Sequence, residues 1–320
     1  MEDQPTIAVL LATYNGAKYL KQQLDSILSQ TYQNFKIYIS DDYSDDHTLK
    51  IIQEYQQKYP TKIFYTINEK NIGFVKNFEK LLKRAIEEYI AFSDQDDIWL
   101  ENKLEFQMQE MLKLEKEYEN VACMVHSDLD MIDEEGRTKK ESYFQYRSYK
   151  LKTSKDLGHI LGPCGVMGNT MLFNQKLKKI VLPFPNQLDT HDYWLAVNNE
   201  FFGVRKTINN SLVKYRIHKS NVSNSQNRLQ IKQFNLLSCN FKLPNLETNR
   251  KFFLPQLLKN INNMNDRKIL EAYINYLNSN GNKLRIYFDL LRCSFIKRDI
   301  FIRMKIFFKL LCTNRYKNKV

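Results

Sequence analysis

Short apolar runs alternate with helix-period segments through the N-terminal part of the chain, and nothing else in the sequence limits the fold as tightly. Ile7-Ala8-Val9-Leu10-Leu11, Phe35-Lys36-Ile37-Tyr38-Ile39, Ile63-Phe64-Tyr65-Thr66-Ile67, Tyr89-Ile90-Ala91-Phe92 and Val121-Ala122-Cys123-Met124-Val125-His126 read as strands. The first is uninterrupted by polar residues, the mark of a strand buried on both faces. Between the strands lie amphipathic helices. Leu20, Leu24, Ile27 and Leu28 share one face, Leu49, Ile52 and Tyr55 another before Pro60, and Phe74, Phe78, Leu81, Leu82 and Ala85 a third. A further helix is predicted from about Trp99 to Glu119, with Leu104, Met108, Met111 and Leu112 turned inward. Strand–helix alternation of this kind predicts an α/β fold with a mostly parallel sheet flanked by helices.

The fourth strand runs straight into Ser93-Asp94-Gln95-Asp96-Asp97. Three carboxylates in four residues repel one another and raise each other's pKa unless a cation or a hydrogen-bond network offsets them. The carboxyl ends of strands are also where open α/β sheets hold ligands. A divalent ion gripped by these oxygens, with a phosphorylated substrate completing its shell, is one reading. A solvated acidic turn capping the next helix is the other. The second strand delivers Ser40-Asp41-Asp42-Tyr43-Ser44-Asp45-Asp46, in which Ser44 reads as a helix N-cap with Asp45 and Asp46 on the positive end of the helix. There is no GxGxxG after the first strand and no GxxxxGK[ST], so neither a dinucleotide-type phosphate turn nor a P-loop is expected.

Bulk properties narrow the setting. The five cysteines, at 123, 164, 239, 293 and 312, are odd in number and form no CxxC pair, which argues against a disulfide framework or zinc site and for a reducing compartment. The start lacks a signal-peptide pattern and no run of apolar residues is long enough to span a bilayer, so a cytoplasmic protein is expected. The net charge of +12 is concentrated at one end: from Lys283 onward eleven Lys or Arg face only Asp289 and Asp299, a net +9 that leaves +3 for everything before. Leu284, Phe288, Leu291, Phe295, Ile302 and Phe307 are interleaved with those charges. Residues 283–320 therefore suit helices lying on an anionic membrane surface, at the inner face of the cell membrane. The alternative is a helical bundle with a solvated basic face. Nucleic acid is not an expected partner, because no recognised binding motif accompanies the charge.

Regularity falls away after about Glu134. Gly158, Gly162, Gly165 and Gly168 crowd around Pro163 and Cys164, as in a loop that approaches a ligand or a simple glycine-permitted turn. Asp189-Thr190-His191-Asp192-Tyr193-Trp194 is an acidic, histidine-bearing turn entering a helix. Strand-like segments at 202–208 and 211–218 end at Tyr215-Arg216-Ile217-His218. Beyond about Asn221 the composition shifts to Asn, Lys, Leu and Phe, so the chain divides into residues 1–220 and a basic helical region, 221–320.

With Ala12-Thr13-Tyr14-Asn15, the Asp41-Asp42 turn and Asp94-Gln95-Asp96-Asp97 in this order, the chain resembles a family-2 glycosyltransferase of the GT-A fold over about residues 5–220. Gln30-Thr31-Tyr32 at the end of the first helix belongs to the same pattern. Asn71-Ile72-Gly73 followed by Asn77, Asp97-Ile98-Trp99, and Tyr215-Arg216-Ile217-His218 with Asn221-Val222-Ser223 are similar to the bacterial rhamnosyltransferase-like members. The QxxRW signature of processive synthases does not appear.

The resemblance implies an inverting, non-processive, metal-dependent enzyme. Its donor would be a nucleotide-diphosphate sugar, dTDP-rhamnose or else a UDP-hexose, and its acceptor a lipid-linked or cell-surface glycan. It implies that Ala12, Thr13 and Tyr14 line the nucleotide pocket with Asn71 and Gln95, and that Asp42 hydrogen-bonds the base. Asp94 would face ribose and metal, Asp96 would be the principal ligand of Mn2+ or Mg2+, and His218 a further ligand. Asp192 would be the catalytic base. Each has a plainer alternative: Asp42 a helix cap, Asp192 a helix-terminal carboxylate, His218 a surface histidine, Tyr14 a packed core aromatic. Two other classes stay open: a nucleotidyltransferase on a related scaffold, which would need a glycine-rich loop after the first strand, and a degenerate membrane-associated scaffold.

Overall fold

The computed structural model describes residues 4–218, 221, 249–278, 288–289, 291–293, 295 and 304. The first strand, β1 (Ile7–Thr13), is the axis of the sheet. It is followed by α1 (Ala17–Leu28), β2 (Phe35–Asp41), α2 (Thr48–Lys58), β3 (Ile63–Ile67), α3 (Phe74–Arg84) and β4 (Tyr89–Ser93). The strands β3, β2, β1 and β4 lie side by side in that order, all parallel. Side chains alternate across a strand, so Ala8 and Leu10 enter one hydrophobic core while Ile7, Val9 and Leu11 enter the other. That two-sided burial is why β1 carries no polar residue before Thr13. The helices close each face with the residues their periodicity picked out: Leu20, Leu24 and Ile27 from α1, and Phe78, Leu81 and Leu82 from α3.

The sheet continues as β4-β8-β6-β9-β5, with the short β7 (Thr138–Lys140) beside β6. Here β8 (Met171–Asn174) is inserted antiparallel between β4 and β6 (Ala122–Ile132), while β9 (Gly203–Arg216) runs parallel to β6. The two strand-like segments predicted at 202–208 and 211–218 are thus one long strand. The carboxyl ends of β1, β2 and β4 meet where β1 has β2 on one side and β4 on the other, the switch point at which open α/β sheets form clefts.

Three local expectations fail for identifiable reasons. Trp99 belongs to a two-residue strand, β5 (Ile98–Trp99), antiparallel to β9, and the next helix, α4, begins only at Lys103 and ends at Glu117. Long-range bonds decide this: the Trp99 amide donates to Ser26 Oγ at 3.1 Å and the Leu100 amide to the Leu212 carbonyl at 3.0 Å. On α4, Leu112 is exposed and Leu114 is buried in its place. Ser44 is no N-cap, since α2 starts four residues later and the Ser44 side chain serves the turn after β1.

The middle of the chain adds α5 (Tyr143–Tyr146), α6 (Leu157–Leu161), a 3-10 turn (Gly168–Thr170), α7 (Gln175–Val181) and α8 (His191–Phe202). After residue 221 come α9 (Arg250–Phe253), a 3-10 segment (Leu254–Lys259) and α10 (Met264–Leu277). Phe253, Leu254, Leu257, Leu270 and Tyr273 join the same core as Ile90, Phe92 and Trp194. The predicted basic helices over 283–320, and Val222 and Ser223, lie largely or wholly outside the described residues. Of those described, Phe295 is buried against Tyr273 at 4.9 Å, and its carbonyl comes so near Gly162 that a Cβ there would clash, while Phe288 and Met304 are exposed. Among the described residues no helix is long and apolar enough to cross a membrane.

Candidate active site

The cleft above β1 is assembled by side chains that bind backbone. Thr13 is buried and donates its hydroxyl to Asp41 Oδ1 at 2.9 Å; Ser44 donates to the same oxygen at 2.7 Å and its amide to Oδ2 at 2.9 Å. The Asn15 amide donates to Ser44 Oγ at 2.9 Å, with Asn15 itself at φ 47°, a conformation asparagine tolerates. Gln95 grips the same turn from the opposite side. It accepts from the Tyr14 amide at 2.8 Å and donates to the Tyr14 carbonyl at 2.9 Å. A Cβ at Gly16 would fall 2.1 Å from Gln95 Oε1, so the contact requires glycine there. The outcome is a rigid turn that leaves Tyr14 47% exposed, so Tyr14 is not a core aromatic. Ala12 is half-buried beneath it. Gln95, predicted to touch the nucleotide, is engaged with the turn that carries Tyr14.

Asp42 is also buried, and both its oxygens are taken by the chain. Oδ1 accepts from Asn68 Nδ2 at 2.8 Å and the Ile72 amide at 2.9 Å, and Oδ2 from the Gly73 amide at 2.8 Å. Asn71 is exposed and accepts from the same Gly73 amide at 3.1 Å. Asp42 is therefore the anchor of the 71–73 wall, and the helix-capping alternative fails because α2 starts elsewhere. Behind it Asn68 and Asn77 are bonded to each other at 3.1 Å, and Asn77 donates to the Ser40 carbonyl at 2.7 Å. Asn68 carried no sequence signal, since its partners lie on other elements, at the end of β2 and on α3.

The acidic segment splits by function. Asp97 is fully buried and structural: Oδ1 accepts the Arg216 amide at 3.0 Å, and Oδ2 accepts from Asn169. Asp96 Oδ2 meets His218 Nε2 at 2.7 Å, and the Asp96 carbonyl accepts from Arg216 Nε at 2.9 Å. Arg216 is itself almost wholly buried, donating to the carbonyls of Asp133 and Glu134 and to Gln22, with Tyr19 4.6 Å from the guanidinium carbon. It fixes the end of β9, and hence His218, against the Asp96 loop. His218 is thus no free surface histidine. Burial, and then the charges of Asp96 and Asp192, push Asp94 up to about 7.

Asp192 opens α8 and accepts from the Tyr193 amide at 2.7 Å. Its pKa is raised, burial being the largest cause, against the lowering effect of hydrogen bonds from the Tyr193 amide, Thr190 and the Gly168 amide and of the charge of Arg250. The glycine-rich loop thus reaches the Asp192 turn at Gly168, where a Cβ would lie 3.0 Å from His191 Nε2. His191 stacks on Phe78 at 4.1 Å and meets Phe92 edge-on at 5.0 Å; burial drops its imidazole to about 3, so it is neutral.

Among the described residues no three His, Cys, Asp or Glu side chains stand close enough to enclose an ion by themselves. The predicted trio of Asp94, Asp96 and His218 is brought together as a pair, with Asp94 beside it. The pair still fits a divalent ion. The carboxylate oxygen and imidazole nitrogen are hydrogen-bonded at 2.7 Å and would need to part only to about 3.0 Å, the edge of an octahedron with bonds of about 2.1 Å, to ligate one ion, with phosphate oxygens and water suiting the remaining positions.

The switch point of a sheet in this order, with an exposed tyrosine on one side and a carboxylate–imidazole pair on the other, is where an open α/β sheet takes its ligand, and comparison with known proteins supplies the class. The profile of glycosyl transferase family 2 matches residues 8–179. An uncharacterised glycosyltransferase of Methanocaldococcus jannaschii is 33% identical over 225 residues, 67% of this chain and 72% of that protein. A dTDP-rhamnosyl transferase of Shigella flexneri is 44% identical over 99 residues, 29% of this chain and 34% of that protein. Among solved structures, a mannosyltransferase of Pyrobaculum calidifontis in complex with GDP-Man and Mn2+ superimposes with a TM-score of 0.58 at 15% identity, covering 99% of this chain and 82% of that one. The chain belongs to glycosyl transferase family 2 and is a glycosyltransferase acting on nucleotide sugars.

Proposed function

We propose that this enzyme is an inverting, non-processive, metal-dependent transferase that moves rhamnose from dTDP-rhamnose, or else a hexose from its UDP derivative, onto a lipid-linked or cell-surface glycan. The observation that carries the reading is the convergence of the Asp96–His218 pair with Asp94 and Asp192, residues just past β4, just past β9 and at the start of α8. The 44% match to the dTDP-rhamnosyl transferase supports the choice of donor.

In this reading Tyr14 stacks on the base and the 71–73 wall held by Asp42 closes the opposite side. Asp96 and His218 would hold a divalent ion, Mn2+ or Mg2+, with Asp94 beside them; bound there, it would supply Lewis-acid neutralisation of the diphosphate. Asp192 takes the proton of the acceptor hydroxyl as that oxygen bonds to the anomeric carbon and the bond from that carbon to the diphosphate breaks. Nucleoside diphosphate leaves and the configuration inverts. A buried carboxylate with a raised pKa is the stronger base for this step, and a positioned base contributes about 10²–10⁴-fold. The net +9 of residues 283–320 supports a peripheral position at the inner face of the membrane, near a lipid-linked acceptor.

Incubation with dTDP-rhamnose, UDP-glucose and GDP-mannose, each with Mn2+ or EDTA, tests this directly. Release of dTDP or UDP that depends on the metal supports it, while release of pyrophosphate would instead favour nucleotidyl transfer. Turnover by Asp96→Ala at the wild-type rate would sink the metal assignment.

A further inference from the structure

The turn that carries Asp192 is held in place from beyond residue 220. Asn249 donates to Asp189 Oδ1, and the guanidinium carbon of Arg250 lies 3.6 Å from the centre of the Tyr193 ring. The same guanidinium donates through one nitrogen to the Leu161 carbonyl at 3.0 Å, to the Gly162 carbonyl at 3.1 Å and to the Tyr273 hydroxyl at 3.0 Å. Tyr193 also donates its hydroxyl to the Leu161 carbonyl at 2.9 Å, and Phe253 packs edge-on against Trp194 at 5.8 Å. Two backbone amides hold the Asp192 carboxylate, those of Tyr193 and Gly168. Arg250 grips the first segment at the Tyr193 ring and the second at Leu161 and Gly162, where the glycine-rich loop begins. One buried side chain therefore sets the relative position of both donors.

We infer that Arg250, with Asn249 beside it, is a positioning residue for the transfer step, holding the Asp189–Tyr193 turn and the 161–168 loop so that Asp192 faces the reacting hydroxyl. The inference rests on the reading of Asp192 as the base. It gives the first turn after the 222–248 segment a part in chemistry that composition did not suggest.

The test measures nucleoside diphosphate release from dTDP-rhamnose and UDP-glucose, with water as acceptor and Mn2+ present, in the full chain carrying Arg250→Met, Arg250→Lys, Asn249→Ala or Asp192→Asn. Arg250→Met is expected to lower kcat about 10-fold or more while donor KM stays within about 2-fold, because the loss falls on the transition state and not on donor binding. Arg250→Lys should recover most of the rate, since an ammonium keeps a cation over the ring and donates to the same carbonyls. Asn249→Ala should lower kcat about 3-fold at constant KM and speed hydrogen exchange in the 186–197 peptide. Unchanged kcat in Arg250→Met, or parallel losses of kcat and donor affinity that lysine does not rescue, overturns the inference. If Arg250→Met does not fold, Asn249→Ala decides alone, and wild-type kcat with wild-type exchange refutes it. An active Asp192→Asn removes the base reading and this inference with it; an inactive Asp192→Asn beside a wild-type-like Arg250→Met refutes the inference only.

Discussion

The two halves of the cleft are built on different plans. The wall formed by the tips of β1, β2 and β4 is saturated: Thr13, Asp41, Asp42, Ser44 and Gln95 spend their polar atoms on backbone, hydroxyls and the Asn68 amide, over separations of up to 81 positions. The wall formed by α8, the end of β9 and the first turn after residue 248 is assembled over long separations. Asp96 to His218 spans 122 positions and Arg250 to Leu161 spans 89. Electrostatic strain collects where the tip of β4 meets the second wall, with Asp94, Asp97 and Asp192 all raised by burial. In the proposed reaction the first wall would bind the donor and the second would activate the acceptor.

That contrast can be broken most forcefully at the reacting wall. Asp192→Asn keeps shape and removes the base, so transfer should fall about 10²–10⁴-fold with donor affinity retained, read by kcat and calorimetry. Loss of affinity to the same degree would place Asp192 in donor binding. On the donor wall Gln95→Ala removes two hydrogen bonds from the Tyr14 turn. The cost of about 1–3 kcal/mol should appear as a weaker donor Kd, about 5- to 150-fold, with kcat at saturation little changed.

Stability separates the walls as well. Asn169→Ala strips a donor from the buried Asp97 carboxylate and should cost about 1–3 kcal/mol in urea unfolding. A gentler probe is pH. Asp94 is raised to about 7 in the fold against about 4 unfolded, so the folded chain binds the extra proton between those values. The stability associated with that proton is fully present below pH ~4 and is lost as pH rises through ~7 in the metal-free protein. Asp94→Asn should flatten this slope, and an unchanged slope would dismiss the strain at this residue. The smallest effect belongs to Leu112→Lys, which should shift stability by no more than about 0.5 kcal/mol, because the side chain faces water.

Much of the donor wall was legible in the residues because each part of it sits at the end of a periodic strand. The run Ile7-Ala8-Val9-Leu10-Leu11 and the turn after it are contiguous, so pattern and position coincide. Asp94 and Asp96 were singled out because clustered carboxylates stand out in any sequence, and Asp192 because the family resemblance implied a base there. Asp97 stands in the same cluster, yet it serves Asn169 and the Arg216 amide. Trp99 was misread as helical because the bonds that make it a strand come from Ser26 and Leu212. Ser44 was misread because its partners are Asn15 and Asp41.

By itself the sequence determined the strand–helix alternation, the burial of β1 and the family, since these follow from periodicity and contiguous motifs. Only the tertiary structure decided that Asp42 anchors a wall, that Asp97 is structural, that His218 meets Asp96 and that Arg250 reaches the turn carrying Asp192. Those facts depend on which distant atoms satisfy a buried charge or amide, and that choice is made when the sheet closes on itself.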